Sequence, residues 1–281
     1  MKALLVTATL TALIAGSVAA RCQTPVTIQY GPLATQLLDL CQAPLPNSGV
    51  AVVLIHGGGW VGGNREQFDD MCQYLAAHSI TAVTIDYRPD NVPANQWPAQ
   101  LADAQLAMRW MRANAATYGV NPLTVCSWGN SAGAQLSLML STLSYTEDTD
   151  MSGYLNQYSS QATCSVDVSP ASNLTELWAD DKDLAMLKEL TGGNAALLAD
   201  ASTAPRTTTA STPALIVAGI NDPTFPFAQQ QGEAEALAAN GVGVTFLPND
   251  GGHVESGLTP AQKELINEEE MAFLLSFKPP S

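Results

Sequence analysis

The stretch Trp128-Gly129-Asn130-Ser131-Ala132-Gly133 follows a short apolar run at 123–126 and opens into a helix-like segment at 134–143. Its form is G-x-S-x-G, and a strand before it with a helix after it makes this pattern a nucleophile elbow. The chain has to reverse within a few residues, so the central serine takes a strained backbone conformation. Glycines flank it because a side chain at either place would collide with the adjoining strand and helix. This predicts a Ser131 hydroxyl held exposed at the N-terminus of the following helix.

Outward from the elbow, the chain alternates between strand and helix patterns. Residues 26–30 and 37–42 read as two short strands joined by a Gly31-Pro32 turn. Residues 50–56 form a near-continuous apolar run, as in a strand covered on both faces, and end in Gly57-Gly58-Gly59-Trp60. A helix is expected at 67–78 and a strand at 80–87. After a connection containing Pro89, Pro93 and Pro98, Leu101, Ala104, Leu106, Met108 and Met111 recur near helical spacing as far as Tyr118. The second half repeats the alternation, with strands at 164–169, 214–219 and 242–247 and helices at 227–239 and 260–277. Such an order implies βαβ units and a mostly parallel sheet flanked by helices, with chemistry at the carboxyl ends of the strands. Two insertions interrupt it. Residues 144–160 are polar and acidic, and 174–212 hold a helix-like piece at 184–190 followed by Thr- and Ala-rich sequence. Neither is large enough for a second domain, but either is long enough to pack over the site as a small lid. A solvated surface loop is expected at 207–212.

At 281 residues with 46% hydrophobic content, the chain can bury one large core. Residues 1–20 read as a signal peptide: Lys2 is a minimal positive region, 3–15 is apolar, and Ser17-Val18-Ala19-Ala20 offers small residues for cleavage. The apolar run is too short to span a bilayer comfortably. The expected mature protein, residues 21–281, is therefore a single secreted, extracellular domain with no membrane attachment. Acidic residues outnumber basic ones 26 to 11, for a net charge of −15, which repels nucleic acid and anionic membranes. Export permits disulfides among the five cysteines, whose odd number leaves at least one unpaired or linked to another molecule. None forms a C-x-x-C or metal-ligand cluster. Cys126, in the strand before the elbow, is expected as a buried free thiol acting as a small apolar residue.

A serine hydroxyl is a poor nucleophile until a base takes its proton, and imidazole suits that task near neutral pH. The chain has three histidines. His56 precedes the glycine run and is expected to brace that loop; His78 closes an amphipathic helix at the surface. His253, in Asp250-Gly251-Gly252-His253 after the last strand, is the expected base. The imidazole must in turn be held in one tautomer and its positive charge balanced. Asp222, in Gly219-Ile220-Asn221-Asp222-Pro223 just past the strand at 214–219, is the expected orienting acid, while Asp250 shapes its turn. The N–H groups of Gly58, Gly59 and Ala132 are the expected oxyanion hole, because glycine lets backbone amides approach closely and point inward. A phosphate-binding role for these glycines would need a following Lys-Ser/Thr, which is absent. Trp60 and Trp128, with Trp178, are candidates to line the substrate pocket.

His56-Gly57-Gly58-Gly59-Trp60, Asp86-Tyr87-Arg88-Pro89, Trp128-Gly129-Asn130-Ser131-Ala132-Gly133 and Asn221-Asp222-Pro223 before His253 together resemble the α/β-hydrolase carboxylesterases. Within these, the chain resembles the small secreted branch related to acetylxylan and feruloyl esterases and to arylformamidases. The likeness covers roughly residues 30–277. It implies the α/β-hydrolase fold and a serine carboxylesterase working through an acyl-enzyme on short-acyl or aromatic esters, small or polysaccharide-linked, with no cofactor or metal. Ser131, Asp222 and His253, in that chain order, fall on the family's triad positions. The chain departs from the pattern at Asn130, where Glu, Asp or His is commoner, and at Cys126 and Ser127. The competing readings are a lipase, a prolyl-type serine peptidase, an arylformamidase, or a catalytically dead fold used as a binding module. The polar insertions argue against a lipase lid, the lack of room before residue 50 argues against an N-terminal propeller, and retention of every candidate group argues against a dead site.

Overall fold

The computed structural model describes residues 24–143, 149, 152–180 and 185–280. The expected signal peptide at 1–20, Cys22, and parts of both insertions lie outside the described residues. Eight strands, β1 (Val26–Gln29), β2 (Leu37–Cys41), β3 (Ala51–Ile55), β4 (Thr81–Ile85), β5 (Val125–Asn130), β6 (Ser165–Val168), β7 (Ala214–Gly219) and β8 (Val244–Asn249), form one sheet. Their spatial order is β1-β2-β4-β3-β5-β6-β7-β8. The first two strands pair antiparallel, β2 joins β4 antiparallel, and every pair from β4 onward is parallel. Every strand expected from the sequence is present; the strand at 214–219 matches end to end, and the ends of the others shift by at most four residues. The elbow strand shifts furthest, because Leu123 lies exposed in the preceding turn.

The helices α1 (Asp69–Ala77), α2 (Ala99–Asn114), α3 (Ala132–Thr142), α4 (Leu174–Asp180), α5 (Ala185–Thr191), α6 (Ala196–Ala201), α7 (Phe227–Ala239) and α8 (Pro260–Leu275) cover both faces of this sheet. The strand period of two divides the core between the faces. In β3, Val53 and Ile55 join Leu101, Met108 and Leu136 on the α2–α3 side, whereas Val52 and Leu54 join Leu75 and Leu274 on the α1–α8 side. Both faces of β3 are fully buried, which is why it reads as a continuous apolar run rather than an alternating one. Helix α8 starts at a Thr259 capping box with Gln262 and a proline in its first turn, so the local sequence defines its N-terminus.

Three expectations change here. Cys126 is bonded to Cys164, directly before the neighbouring strand β6, and is not a free thiol; parallel pairing of β5 with β6 brings the two Cα atoms to 4.7 Å, and a second disulfide joins Cys41 to Cys72. Among its described residues the insertion at 174–212 holds three short α-helices rather than one. Its 207–212 segment is anchored at both ends, with Thr207 and Ser211 buried and only 208–210 exposed, because the Thr207 hydroxyl donates to the buried Glu233 carboxylate of α7.

Candidate active site

Parallel strands end together, so the loops after β5, β7 and β8 meet along one edge of the sheet. Ser131 follows β5 directly, with φ 54° and ψ −122°, and caps the N-terminus of α3. This left-handed backbone is costly for a serine and persists because the surrounding structure leaves no alternative. A Cβ at Gly133 would lie 2.0 Å from the carbonyl oxygen of Ile55, so α3 can approach β3 this closely only through glycine.

Ser131, Asp222 and His253 come together as a hydrogen-bonded chain. His253 Nε2 is 2.9 Å from Ser131 Oγ and His253 Nδ1 is 2.9 Å from Asp222 Oδ2. The Asp222 side chain is fully buried beneath a partly exposed imidazole. Its Oδ1 accepts the N–H groups of Thr224 and Phe225, and its Oδ2 also accepts from Gln230 Nε2. Burial alone would push the Asp222 pKa up, but the bonds from His253, Phe225 and Thr224 outweigh it and hold the carboxyl below its ordinary value. Phe225 stands edge-on to the imidazole at 5.2 Å between ring centres. Asp250 lies apart from this chain, its carbonyl accepting Asn221 Nδ2.

The glycine loop after β3 faces Ser131. Gly58 and Gly59 have φ of 116° and 61°, and the Gly58 carbonyl accepts from the N–H groups of Val61 and Gly62. The N–H of Ala132 opens α3, where it has no intrahelical acceptor. His56 braces this loop. Its Nδ1–H donates to the Gly57 carbonyl at 2.7 Å, its ring stacks on Tyr87 at 4.2 Å, and the Tyr87 hydroxyl donates to the His56 carbonyl. Burial lowers the His56 pKa, which keeps this brace neutral. His78 is exposed at the C-terminal end of α1, its Nδ1–H donating to the Tyr74 carbonyl.

These loops enclose a cleft of about 350 Å³ over Ser131 and His253, lined by Gly57, Gly58, Gly59 and Asn130 and walled by Gln67, Met186, Thr224, Phe225 and Val254. Neither Trp60 nor Trp128 lines it. Trp60 follows two left-handed glycines and is itself left-handed at φ 64°, which turns its ring into the core. There it is fully buried and its Nε1 donates to Gln135 Oε1. Trp128 points to the α1–α8 face of β5, edge-on to Phe68, with Nε1 donating to Glu270 Oε2 at 3.1 Å. Trp178 packs partly buried against the core. The cleft's apolar side is made instead by Met186, Phe225 and Val254. Phe225 and Val254 sit within three residues of Asp222 and His253, a proximity that would have marked them. Met186 carries no local signal; it reaches the cleft because α5 of the second insertion packs beside Gly59.

No described helix is long and apolar enough to cross a membrane, and no cluster of three or more potential metal ligands occurs among the described residues.

A mixed sheet of this strand order, with an elbow after β5 and further polar loops after β7 and β8, defines the α/β-hydrolase fold. The chain belongs to the BD-FAE family, whose model matches residues 39–237. It is 28% identical over 235 residues to the esterase LipQ of Mycobacterium tuberculosis, an alignment that covers 79% of this chain and 55% of LipQ. The chain spans about half, or less, of the length of the curated relatives it matches first. Among solved structures it resembles a propionate-bound thermophilic esterase from Thermogutta terrifontis, at TM-score 0.76 and 25% identity over 92% of this chain and 97% of that one. An acetyl ester-xyloside bifunctional hydrolase from Caldicellulosiruptor lactoaceticus shares the fold, at TM-score 0.74 and 20% identity over 92% and 97% of the two chains.

Proposed function

We propose that the protein is a secreted serine carboxylesterase that cleaves short-acyl or aromatic esters, including acetyl or feruloyl groups carried on plant polysaccharide. The observation that carries this reading is the unbroken hydrogen-bonded chain from Asp222 through His253 to Ser131 at the floor of an open cleft. The esterase titles of LipQ and the Thermogutta protein support the ester chemistry, and the Caldicellulosiruptor title is compatible with a sugar-borne acetyl ester. The two disulfides and the signal-like sequence at 1–20 support export.

In the reaction, Ser131 Oγ bonds to the ester carbonyl carbon as its proton passes to His253 Nε2. Asp222 balances the imidazolium and keeps Nδ1 protonated. The negative charge moves to the carbonyl oxygen, where the N–H groups of Gly58, Gly59 and Ala132 receive it; one such donor contributes about 3 kcal/mol to the barrier. The tetrahedral adduct collapses by breaking the carbon–alkoxide bond, the alkoxide takes the proton from His253, and the alcohol departs. Water then attacks the acyl-enzyme, gives its proton to His253 and releases the acid as Ser131 recovers its hydrogen. No cofactor or metal takes part in these steps.

Hydrolysis of p-nitrophenyl esters from acetyl to octanoyl, of methyl ferulate and of acetylated xylan tests this. The parent is expected to turn over the short or aromatic esters, and Ser131→Ala to lose turnover to background. Equal rates in the two proteins would mean that Ser131 is not the nucleophile, and a folded parent inert toward all of them would point to a peptidase or a binding module.

A further inference from the structure

The loop that carries His253 is held in an unfavourable conformation. Val254 has φ 49° and ψ 51°, and Glu255 follows with φ 58°. A β-branched residue in the left-handed region is a genuine outlier, and two consecutive non-glycine residues there compound the cost. Most hydrogen bonds of this turn stay within it: Gly252 N–H donates to the Ser256 carbonyl, Ser256 N–H to His253 and Leu258 N–H to Glu255. These shape the turn itself, from 252 to 258. Ahead of His253 the loop is tied to the segment after β7, where Asn221 donates its N–H to the Gly251 carbonyl and its Nδ2 to the Asp250 carbonyl; past His253 the tie is from Val254 N–H to Ser169 Oγ at 3.0 Å, across 85 positions of sequence.

Ser169 is well placed to act as an anchor. It follows β6, its own N–H donates to the Val217 carbonyl, it is almost fully buried, and it too is left-handed at φ 53°. That backbone turn brings its hydroxyl under the His253 loop, between the ends of β5 and β7. Ser131 N–H also bonds to the carbonyl of Val168, the residue before Ser169. One short segment at the end of β6 therefore holds the backbone of Ser131 through a carbonyl and the backbone next to His253 through a hydroxyl.

We infer that Ser169 is a positioning residue for catalysis: its hydroxyl holds Val254 in its strained conformation and so keeps the His253 imidazole in register with Ser131. The role rests on the proposed Ser131–His253 chemistry and acts through His253, since Ser169 does not line the cleft. Without the bond, Val254 relaxes toward an ordinary backbone conformation and carries the imidazole away from Ser131 Oγ. Misplacing a base slows proton transfer, while of the three apolar wall residues only Val254 shifts and Met186 and Phe225 stay in place. The signature is thus a fall in kcat that exceeds any rise in KM.

The test compares the parent with Ser169→Ala and Ser169→Gly on p-nitrophenyl acetate, with thermal midpoints measured alongside. Both variants remove the hydroxyl, but glycine relieves the strain at φ 53° and so guards against a simple folding defect. Both are expected to lose about tenfold in kcat, equivalent to about 1.4 kcal/mol in the barrier. In the double variant Ser169→Ala/Val254→Gly, where residue 254 adopts the left-handed turn without strain, part of that loss should return. Parent-like kcat in a folded Ser169→Gly protein would overturn the inference, as would a loss carried by KM or a double variant slower than Ser169→Ala. An inert parent would instead overturn the esterase reading itself, so the two failures are told apart by the parent's own activity.

Discussion

At the carboxyl edge of the sheet, Asp222 accepts hydrogen bonds from His253, Thr224, Phe225 and Gln230. On the α1–α8 face behind β5, Glu270 accepts one, from Trp128 Nε1, and its Oε1 has no partner. Both carboxyl groups are removed from water, yet their pKa values move in opposite directions. Asp222 stays below its ordinary value, whereas burial and the nearby Glu255 push Glu270 up to about 8. Burial acts against charge in both places; the number of donors decides whether the charge survives. The edge region keeps an anion that can orient an imidazole. The rear region keeps a neutral acid that braces the elbow strand through Trp128.

The largest effect should come from removing the charge at the edge. Asp222→Asn retains size but presents an amide N–H toward Nδ1, favouring the wrong imidazole tautomer, and should lower turnover about 10⁴-fold while the protein still folds. Steady-state kinetics with a melting curve would check this, and near-normal turnover would move the orienting role to another acid, with Asp250 the first to examine.

A smaller effect is expected at the rear. Because the folded pKa of Glu270 lies above the unfolded one, the folded state holds the proton more tightly between about pH 4.5 and 8. Its contribution to stability therefore falls as pH rises through that window and is lowest above it. Buried Glu233, raised to about 7, adds a similar decline over the lower part of the range. Glu270→Gln keeps an acceptor for Trp128 and should flatten the decline in chemical denaturation measured from pH 5 to 8. An unchanged slope would show that Glu270 ionises in place at no cost.

The mildest change concerns the cleft wall. Met186→Ala opens space beside Gly59, so longer p-nitrophenyl esters should gain on the acetyl ester in kcat/KM by less than tenfold, within the range one or two methylenes supply. A chain-length profile identical to the parent's would place the acyl group elsewhere in the cleft.

Much of this contrast was legible before the fold was known. Ser131, Asp222 and His253 each lie in a loop just past an apolar strand, a local pattern that a sequence displays directly, and their hydrogen-bonded chain joins the three loops. The pocket was less legible. Trp60 and Trp128 look like pocket residues because they are aromatic and adjacent to the right motifs, but direction is set by backbone geometry. A left-handed turn sends Trp60 inward, and strand alternation sends Trp128 to the opposite face. In sequence Cys126 looks like a lone thiol because its partner lies 38 residues away, and only strand pairing makes them neighbours.

The sequence by itself determined the strand and helix order, the glycine-flanked elbow and the residue types at the carboxyl ends of β5, β7 and β8. These follow from local periodicity and steric rules that act within a few residues. Tertiary structure alone decided which side chains wall the cleft, which carboxyl groups keep their charge, how the cysteines pair and what ties the His253 loop to Ser169. Each of these depends on contacts between segments far apart in the chain, whose distances exist only once the sheet has closed.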